Sequence, residues 1–508
     1  MGIIIRQSLK ASFGFYLGAL IGIINQMFVS THFMSVEQLA ISRLLIENAI
    51  LFATFSHLGA PFIADKFFGY FRDDQEQHHG LFVFLTGLPL IGGGVFTLIY
   101  LLFTPAIKGY FSEHSPLLVN YHYLIIPFTF LWTYILVLES YCRNHSRIAI
   151  PSFIREVYFR LANVLLILMF GWGWYNFDML LYLILAAYVM AIFELIFYIS
   201  KLGKLYIKWP GRKKFSGSQV KAMLGYGAFT LLGGLGVNII LTIDRSMLAG
   251  EEGLVSAGIF IIASYIAGII EIPKKAISQI SIPYLSDALR LGNHREVRQL
   301  TQKSALHQLL VGGIFFLILW VNIDELFRFL PKGDTYAGGK YVVLLIGVVK
   351  LFDIGTGLNT EIILYSRYFR WSTVLIVSAA VASFLLNLAL IPTLGYNGAA
   401  LATAATTFGL SASKLGMVWS KFRMQPFTMA TLKLLIVFGV LYALTLPFEA
   451  TFENPVHALA MIVIKSGVLL TAFAVTVYML NISPDANQLL KELLLKLQGN
   501  KLSKRDSE

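Results

Sequence analysis

The sequence has few charged residues and a single cysteine, and each shortage excludes a class of protein. Asp, Glu, Lys and Arg make up 13% of the 508 residues, about half the share usual in a soluble domain. Because a soluble protein of this length needs a charged surface, the chain is predicted to be a polytopic membrane protein. The lone Cys142 excludes an intramolecular disulfide and a cysteine-rich metal site.

Catalytic signatures are also missing. The chain contains no GxxxxGK[ST] loop, which argues against direct ATP hydrolysis. The histidines are scattered except for His78 and His79, which are predicted to be a solvated pair in a polar loop. The predicted outer loops are too short to hold the acid, base and sugar sites of a membrane glycosyltransferase or ligase. We therefore predict a transporter rather than an enzyme, with no metal site and no cofactor.

Long apolar runs fill most of the chain. A helix that crosses about 30 Å of hydrocarbon needs about 20 mostly apolar residues, and the runs predict an all-α protein with about fourteen transmembrane helices. Lys10 leads directly into the first run, which is expected to be a membrane helix rather than a cleavable signal. The predicted spans are residues 10–32, 42–64, 81–104, 117–139, 150–172, 178–200, 222–243, 253–273, 305–323, 341–363, 371–391, 397–419, 428–448 and 457–480.

Basic residues in the connections predict the orientation. With the N-terminus placed inside, nearly all Lys and Arg residues of the connections fall on the inner side. The exceptions on the outer side are Lys108, Arg245, Arg328, Lys332 and Lys340. Both termini are therefore predicted to be cytoplasmic, and the net charge of +12 is expected to face anionic lipid headgroups rather than nucleic acid.

A basic linker divides the chain into two parts. The segment "KASFGFYLGALIG" opens the first span and "KAMLGYGAFTLLGG" opens the seventh, which indicates a duplicated six-helix unit. The predicted divisions are an N-terminal lobe (1–200), a cytoplasmic linker (201–221), a second lobe (222–420), two further helices (421–481) and an amphipathic cytoplasmic tail (482–508) with Leu489, Leu490, Leu493, Leu494 and Leu497 on one face.

Ionisable residues within the spans are costly and usually face a cavity or a partner. Arg43 and Glu47 lie four residues apart on one face of the second span, where they could form a local ion pair. Arg155 could snorkel to the inner headgroups, whereas Arg160 lies too deep in the fifth span for that. Glu194, in the sixth span, could pair with one of these arginines.

The second half of the chain carries similar signals. Lys350 and Asp353 lie three residues apart near the middle of the tenth span, and Lys465 lies well inside the last span without a nearby acid. Asp244 and Arg245 are predicted to close the seventh span at the membrane edge. In the first span, Gly14, Gly18 and Gly22 recur every four residues, a spacing that lets another helix approach closely.

Three segments resemble bacterial polysaccharide flippases, which carry O-antigen or other lipid-linked oligosaccharides and belong to the multidrug/oligosaccharidyl-lipid/polysaccharide exporter superfamily. "TIDRSMLAGEEGLVSAGIFIIASYIAGIIEIPKKAISQISIPYLSDALRLGN" is similar to their seventh and eighth helices, which an Asp-Arg pair joins. "LGYNGAALATAATTF" resembles the start of their twelfth helix. "ESYCRNHSRIAIPSFIREVYFRLANVLL" resembles the connection between their fourth and fifth helices.

The resemblance implies two pseudo-symmetric six-helix lobes that form a V around a central cavity, followed by two C-terminal helices. It also implies that the cavity carries a polyprenyl-pyrophosphate-linked glycan across the bacterial inner membrane. The lipid II branch of the superfamily typically has arginines in the first helix. Here the middle of that helix offers Asn25 and Gln26, which disfavours lipid II as the substrate.

The resulting hypothesis is alternating access to a cationic cavity, driven by the membrane potential or by a coupling ion, H⁺ or Na⁺. The candidate substrate ligands are Arg160, Lys350, Arg155 and Arg43. The candidate gating or lobe-pairing residues are Asp244, Arg245, Glu47, Asp353 and Glu194. The expected partners are the lipid-linked glycan, membrane lipids, and a glycan polymerase or other assembly proteins, but not nucleic acid, and the protein is expected to be a monomer.

Two alternatives stay open. A cation-coupled multidrug exporter of the same architecture would be expected to place unpaired acids in the cavity. An integral membrane glycan polymerase or ligase would need a large outer loop, and the sequence predicts none.

Overall fold

Helices account for nearly all of the described chain. The structure is a computed structural model that describes residues 14–211, 214–446 and 455–488. Within these ranges it contains no strand. The prediction of an all-α membrane protein is therefore confirmed, as expected where backbone groups have no water with which to hydrogen-bond.

The first half contains nine labelled helices. A five-residue helix, Ala149–Phe153, and a π-helical turn, Ile154–Tyr158, lead directly into α7. A second π-helical turn, Asn25–Val29, lies within α1. The helices are α1 (Gly14–Phe33), α2 (Val36–Ser56), α3 (Ala60–Phe71), α4 (Leu81–Ser112), α5 (Pro116–Tyr121), α6 (Ile125–Asn144), α7 (Phe159–Gly171), α8 (Phe177–Lys201) and α9 (Gly217–Glu251).

The second half also contains nine labelled helices. A single 3₁₀ turn, Ile269–Glu271, connects the first two of them. They are α10 (Leu254–Gly268), α11 (Ile272–Arg290), α12 (His294–Val321), α13 (Ile323–Phe329), α14 (Lys340–Gly355), α15 (Asn359–Leu364), α16 (Phe369–Phe422), α17 (Met429–Thr445) and α18 (Pro455–Met479).

The predicted spans fall mainly on helices in the described ranges, but the span at 42–64 contains the break between α2 and α3, where Gly59 has a positive φ of 80°. Ten helices in the described ranges are long and apolar enough to cross a membrane, and α17 is a shorter apolar helix. Two predicted spans lie within α16, which breaks at Gly395 (φ 58°, ψ −137°). The predicted span at 341–363 is interrupted between α14 and α15, where Gly357 has a positive φ of 68°.

Polar side chains fix where several helices begin. Ser35 accepts a hydrogen bond from the backbone N–H of Gln38 and forms a capping box at the start of α2. Asn176 caps α8 through the N–H of Met179, and Thr428 caps α17. Each cap satisfies a donor that the first helical turn leaves free.

The chain forms two compact units. Unit 1 comprises Met1–Tyr265, Leu330–Val342 and Thr373–Thr406, and within it α2 packs against α4, α6 and α9. Unit 2 comprises Ile266–Phe329, Val343–Ser372 and Thr407–Glu508. Its core includes the buried side chains of Ile270, Leu309, Ile354, Leu434, Leu469 and Phe473.

The glycine stripe of α1 is a packing surface in unit 1. A Cβ added to Gly18 would lie 2.1 Å from the backbone oxygen of Glu156. One added to Gly22 would lie 2.6 Å from the Tyr265 hydroxyl and 3.3 Å from the Arg160 side chain. The stripe therefore lets α1 approach the fifth predicted span closely, as its four-residue spacing predicts.

The linker after α8 packs on the loop that precedes α4. Lys204 pairs with Asp74 at 2.7 Å, which holds the pKa of that carboxyl below its usual value. His78 is 1% exposed and stacks on His145 at a ring distance of 5.3 Å. Burial, with the nearby His78, lowers the pKa of His145 to about 4. The prediction of a solvated histidine pair is therefore wrong for His78, because aromatic rings surround it.

The predicted amphipathic tail falls mostly outside the described residues. Its apolar face, from Leu489 to Leu497, lies entirely beyond residue 488. The tail therefore stays a prediction, as does the division into two lobes, a linker and two further helices.

The glycine stripe can be tested by adding one methyl group. Gly18→Ala should lower the free energy of unfolding of the purified protein by about 1–3 kcal/mol, and with it the melting temperature, because the added Cβ would overlap a backbone carbonyl. Gly94→Ala is the matched control, since this helical glycine of α4 has nothing within 4 Å of an added Cβ. Equal melting temperatures for the two variants would contradict close packing at Gly18.

Candidate substrate site

Arg43 of α2 is the central cation of the candidate site. Its Nη2 donates a hydrogen bond to the Gln26 side chain, which lies in the π-helical turn of α1. The electrostatic neighbours of Arg43 are Glu47, which has the largest effect, followed by Tyr265, Tyr188 and Arg245. The local ion pair predicted between Arg43 and Glu47 is not formed, because Glu47 accepts its hydrogen bond from Arg245. Arg43 is thus held by a neutral amide rather than by a carboxylate.

Arg160 of α7 lies in the same part of unit 1. Its Nη2 donates to Glu156 at 3.1 Å, and its side chain packs beside Gly18 and Gly22 of α1. Its Nη1 is buried and has no hydrogen-bond partner within the described ranges. Arg160 and Arg43 both interact electrostatically with Tyr265, so the fold brings these two predicted ligands around one hydroxyl.

Arg155 is neutralised more completely than Arg160. Its Nη1 donates to Glu139 at 2.9 Å, and its Nε donates to Glu156 at 3.3 Å. The Glu139 side chain is 6% exposed and the Arg155 side chain is 42% exposed, so the pair joins a buried carboxylate to an exposed guanidinium. Snorkelling of Arg155 to the inner headgroups therefore stays a prediction.

Two π-helical turns position the site. One carries Asn25 and Gln26, and the other carries Arg155 and Glu156. A π-turn adds a residue to the helical repeat and is frequent at functional sites. Asn25 donates to Asn163 at 3.0 Å and thereby joins α1 to α7. We call Gln26, Arg43, Glu156, Arg160 and Tyr265 the arginine site.

The arginine site has an excess of positive charge. Its two arginines, Arg43 and Arg160, have only Glu156 as a hydrogen-bonded carboxylate among the described residues. Such an excess is costly in a membrane and favours an anionic ligand.

Asp244 and Arg245 do not lie at the end of a helix. Helix α9 continues to Glu251, so the pair lies within the helix rather than at its end, and its place at the membrane edge stays a prediction. Arg245 pairs with Glu47 at 2.5 Å, and Asp244, 4% exposed, accepts a hydrogen bond from Thr403 at 3.0 Å. The pair stays helical because its charged groups find partners on α2 and α16, so these contacts link three helices within unit 1.

In unit 2, Lys350 and Asp353 pair with different partners. Lys350 pairs with Glu271 at 2.8 Å. Asp353 pairs with Lys274 and also accepts a hydrogen bond from Ser411 at 2.6 Å. Lys350 and Asp353, which lie three residues apart in the sequence, therefore belong to two separate ion pairs. Their partners lie in the 3₁₀ turn before α11 and in α11 itself.

Two further expectations about buried charges are wrong. Glu194 is exposed on α8 and forms no hydrogen bond or ion pair with any described residue, so it does not pair with an arginine. Its neighbours Phe193 and Phe197 are also exposed, which places it on an outward face. Lys465, by contrast, has a nearby acid, since it pairs with Glu325 of α13 at 2.6 Å.

Sequence reasoning did not assign Glu139, Tyr265, Lys274 or Ser411 to a site. Each has its partner on another segment of the fold rather than on its own helix, so no local spacing marks it. Gln26 was visible as a polar residue in the first span, but nothing linked it to Arg43. Among the described residues, no group of three or more His, Cys, Asp or Glu side chains could hold a metal ion.

The helical fold and the buried charges define a polytopic membrane protein, and comparison with known proteins agrees. Residues 8–289 match the family described as "Polysaccharide biosynthesis protein", and the chain belongs to that family. This confirms the resemblance to polysaccharide flippases of the exporter superfamily. No curated protein matches the sequence significantly.

Solved structures with the same fold include transporters of one superfamily. A lipid II flippase, MurJ, in an inward closed conformation has a TM-score of 0.68 at 14% identity, over 94% of this chain and 100% of that one. An inward-facing multidrug resistance transporter of the MATE family has a TM-score of 0.60 at 15% identity, over 81% and 94%. An outward-facing MATE transporter has a TM-score of 0.54 at 16% identity, over 83% and 95%.

A double-mutant cycle can test which residue holds Glu47. Glu47 and Arg245 should show a coupling energy of about 2 kcal/mol in the stability of the purified protein, as expected for a partly buried contact pair. Glu47 and Arg43 should show a smaller coupling energy, since they are electrostatic neighbours that no direct bond joins. The cycle uses Glu47→Gln, Arg245→Gln and Arg43→Gln, and the reverse order of couplings would contradict the structure.

Proposed function

We propose that the protein is a flippase that moves a polyprenyl-pyrophosphate-linked oligosaccharide from the cytoplasmic to the periplasmic leaflet of a bacterial inner membrane. Alternating access through a cationic cavity is the proposed mechanism. The observation that carries the proposal is Arg43, which lies in a membrane span with an amide as its hydrogen-bond partner, close to Arg160. Family membership supports a role in polysaccharide biosynthesis.

The arginine site suits a pyrophosphate. A guanidinium presents a planar fork of donors that matches phosphate oxygens. In a low-dielectric site the attraction between a guanidinium and a phosphate is stronger than in water. It replaces part of the hydration that the pyrophosphate loses. The buried Arg160 Nη1, which lacks a partner among the described residues, would supply one of these donors.

The partners of each arginine indicate different roles. Arg43 can exchange the neutral Gln26 amide for a phosphate oxygen without leaving a carboxylate unpaired. Arg155, by contrast, would have to leave both Glu139 and Glu156. We therefore assign Arg43 and Arg160 to substrate binding and Arg155 to positioning Glu156. Lys350 is a further proposed ligand that would have to leave Glu271.

The remaining residues are proposed to transmit the motion. The contacts of Arg245 with Glu47 and of Asp244 with Thr403 join α9 to α2 and α16, so a change in these bonds would change how the helices pack. Asp353, paired with Lys274, would serve the same purpose in unit 2. The membrane potential, H⁺ or Na⁺ would drive the cycle. A glycan polymerase and other assembly proteins would act on the exported glycan.

A cation-coupled multidrug exporter is the second candidate. Such an exporter would be expected to place unpaired acids in the cavity, whereas Glu194, which has no partner among the described residues, lies on an outward face of α8. The two candidates make opposite predictions for a deletion strain, which would lose surface glycan in the first case and gain drug sensitivity in the second.

Removing single cations tests the flippase proposal. Arg43→Gln and Arg160→Gln should each reduce glycan export by about 10- to 100-fold, because each removes a charged hydrogen bond to the pyrophosphate. Lys350→Gln should reduce it as well. Export is measured as surface glycan in a deletion strain that carries each variant, with the amount of protein in the membrane measured in parallel.

Arg290→Gln is the matched control, since Arg290 is 74% exposed and its only ion pair among the described residues is with Asp287. It removes the same charge and should leave export unchanged. Arg43→Lys should retain part of the export, because it keeps the charge and loses the fork. Full export by both Arg43→Gln and Arg160→Gln at normal protein levels would overturn the proposed site.

A further inference from the structure

Unit 1 contains a cavity of about 310 Å³ outside the arginine site. It lies between α2, α4, α5, α9 and the start of α6, and it shares no residue with the arginine site. Its lining is mainly apolar and includes Leu51, Phe52, Ile107, Phe111, Leu118 and Ile243. Neither the proposed transport function nor the family assigns a role to this cavity.

The polar side chains in its wall form hydrogen bonds with one another or with backbone oxygens. Ser246 donates to Asn48 at 3.0 Å. The Tyr100 hydroxyl donates to the backbone oxygen of His122 at 3.0 Å, and the His122 ring bonds to the backbone oxygen of Val119 at 2.7 Å. The cavity therefore presents hydrocarbon to its contents, and an apolar cavity favours an apolar occupant over water.

Lys108 is the one cation in the lining. It is exposed, and no described residue pairs or hydrogen-bonds with it. It lies four residues before the end of α4, a helix of 32 residues. At 1.5 Å per residue α4 is about 48 Å long, which exceeds the roughly 30 Å of a hydrocarbon core. The charged end of the cavity thus lies at headgroup level.

The cavity extends from this charged end toward the middle of the membrane. Its lining on α4 runs from Phe111 to Tyr100, a distance of about 16 Å along the helix. On α2 the lining reaches Phe52, sixteen residues from Val36 and so about 24 Å along that helix. A cation at one end of an elongated apolar slot matches a lipid, which has an anionic head and a hydrocarbon chain.

We propose that this cavity binds one hydrocarbon chain of an anionic phospholipid, whose phosphate contacts Lys108. A volume at the low end of the ligand-pocket range, about 300–1,000 Å³, suits a single chain. Two wall residues, Asn48 and Ser246, directly follow Glu47 and Arg245 of the ion pair between α2 and α9. The bound lipid would therefore stabilise the contact between these two helices, and it would act as an effector of the protein rather than as its cargo.

Lipid binding to the full-length purified protein tests the proposal. Native mass spectrometry and thermal unfolding would compare phosphatidylglycerol with phosphatidylcholine of the same chains. The wild-type protein should bind phosphatidylglycerol about fivefold more tightly, as expected for one exposed ion pair. Lys108→Gln should abolish this preference. Val119→Phe should weaken binding of both lipids by about tenfold, because the larger ring fills the cavity.

Matched controls separate the cavity from general effects. Leu102→Phe adds a ring on the exposed face of α4, where Leu102 is 76% exposed, and Lys221→Gln removes an exposed charge. Both should bind lipid as the wild-type protein does. Ile243→Phe fills the cavity from α9 and replaces Val119→Phe if that variant does not fold.

Several results would overturn the proposal. They are equal binding of the two lipids by the wild-type protein, undiminished binding by both cavity-filling variants, and a rise in melting temperature with inorganic phosphate alone equal to that with lipid. Preferential retention of a polyprenyl phosphate over phosphatidylglycerol would also overturn it, because the cavity would then belong to the cargo.

Discussion

Charges placed within a membrane need partners, and this requirement organises the interior of the protein. Removing a charge from water costs several kcal/mol unless a counter-charge and further hydrogen bonds replace the hydration. Glu47 pairs with Arg245 and Lys465 pairs with Glu325, and each of these pairs joins two helices. Lys350 of α14 pairs with Glu271 of the 3₁₀ turn between α10 and α11. If the two partners of such a pair moved apart, each charge would be left in the membrane without its counter-charge. The ion pairs therefore determine which helices stay together within each unit.

The same requirement explains what the sequence could and could not predict. The helices were predictable, since a spanning segment must satisfy its own backbone and show an apolar surface to lipid. The partners were not, because spacing along a sequence reveals only neighbours on one helix, such as Arg43 and Glu47 or Lys350 and Asp353. The actual partner of Glu47 is 198 residues away, and that of Asp353 is 79 residues away. Choosing among distant charges requires knowledge of how the helices pack.

Local helix geometry is the second feature that the sequence concealed. The apolar pattern of α1 and of the segment before α7 predicts regular helices, yet each contains a π-helical turn. A π-turn shifts every later residue around the helix axis, so a helical wheel drawn from the sequence misplaces Arg160 relative to Arg155. The glycines of α1 face the π-turn that precedes α7. Because they have no side chains, they leave room for the Glu156 carbonyl and the Arg160 side chain. The glycine stripe and the π-turn are thus two parts of one packing arrangement.

On the proposed function, competition within the arginine site sets how tightly the substrate is held. A pyrophosphate that approached unpaired arginines in a low-dielectric site would bind strongly and leave slowly. Here Glu156 already occupies Arg160 and Gln26 occupies Arg43, so the substrate gains only the difference between its own bonds and those it displaces. When the substrate departs, the carboxylate and the amide reclaim the guanidinium groups, and no buried charge is left alone. A transporter must release what it binds, and internal partners of moderate strength meet that need better than empty cations would.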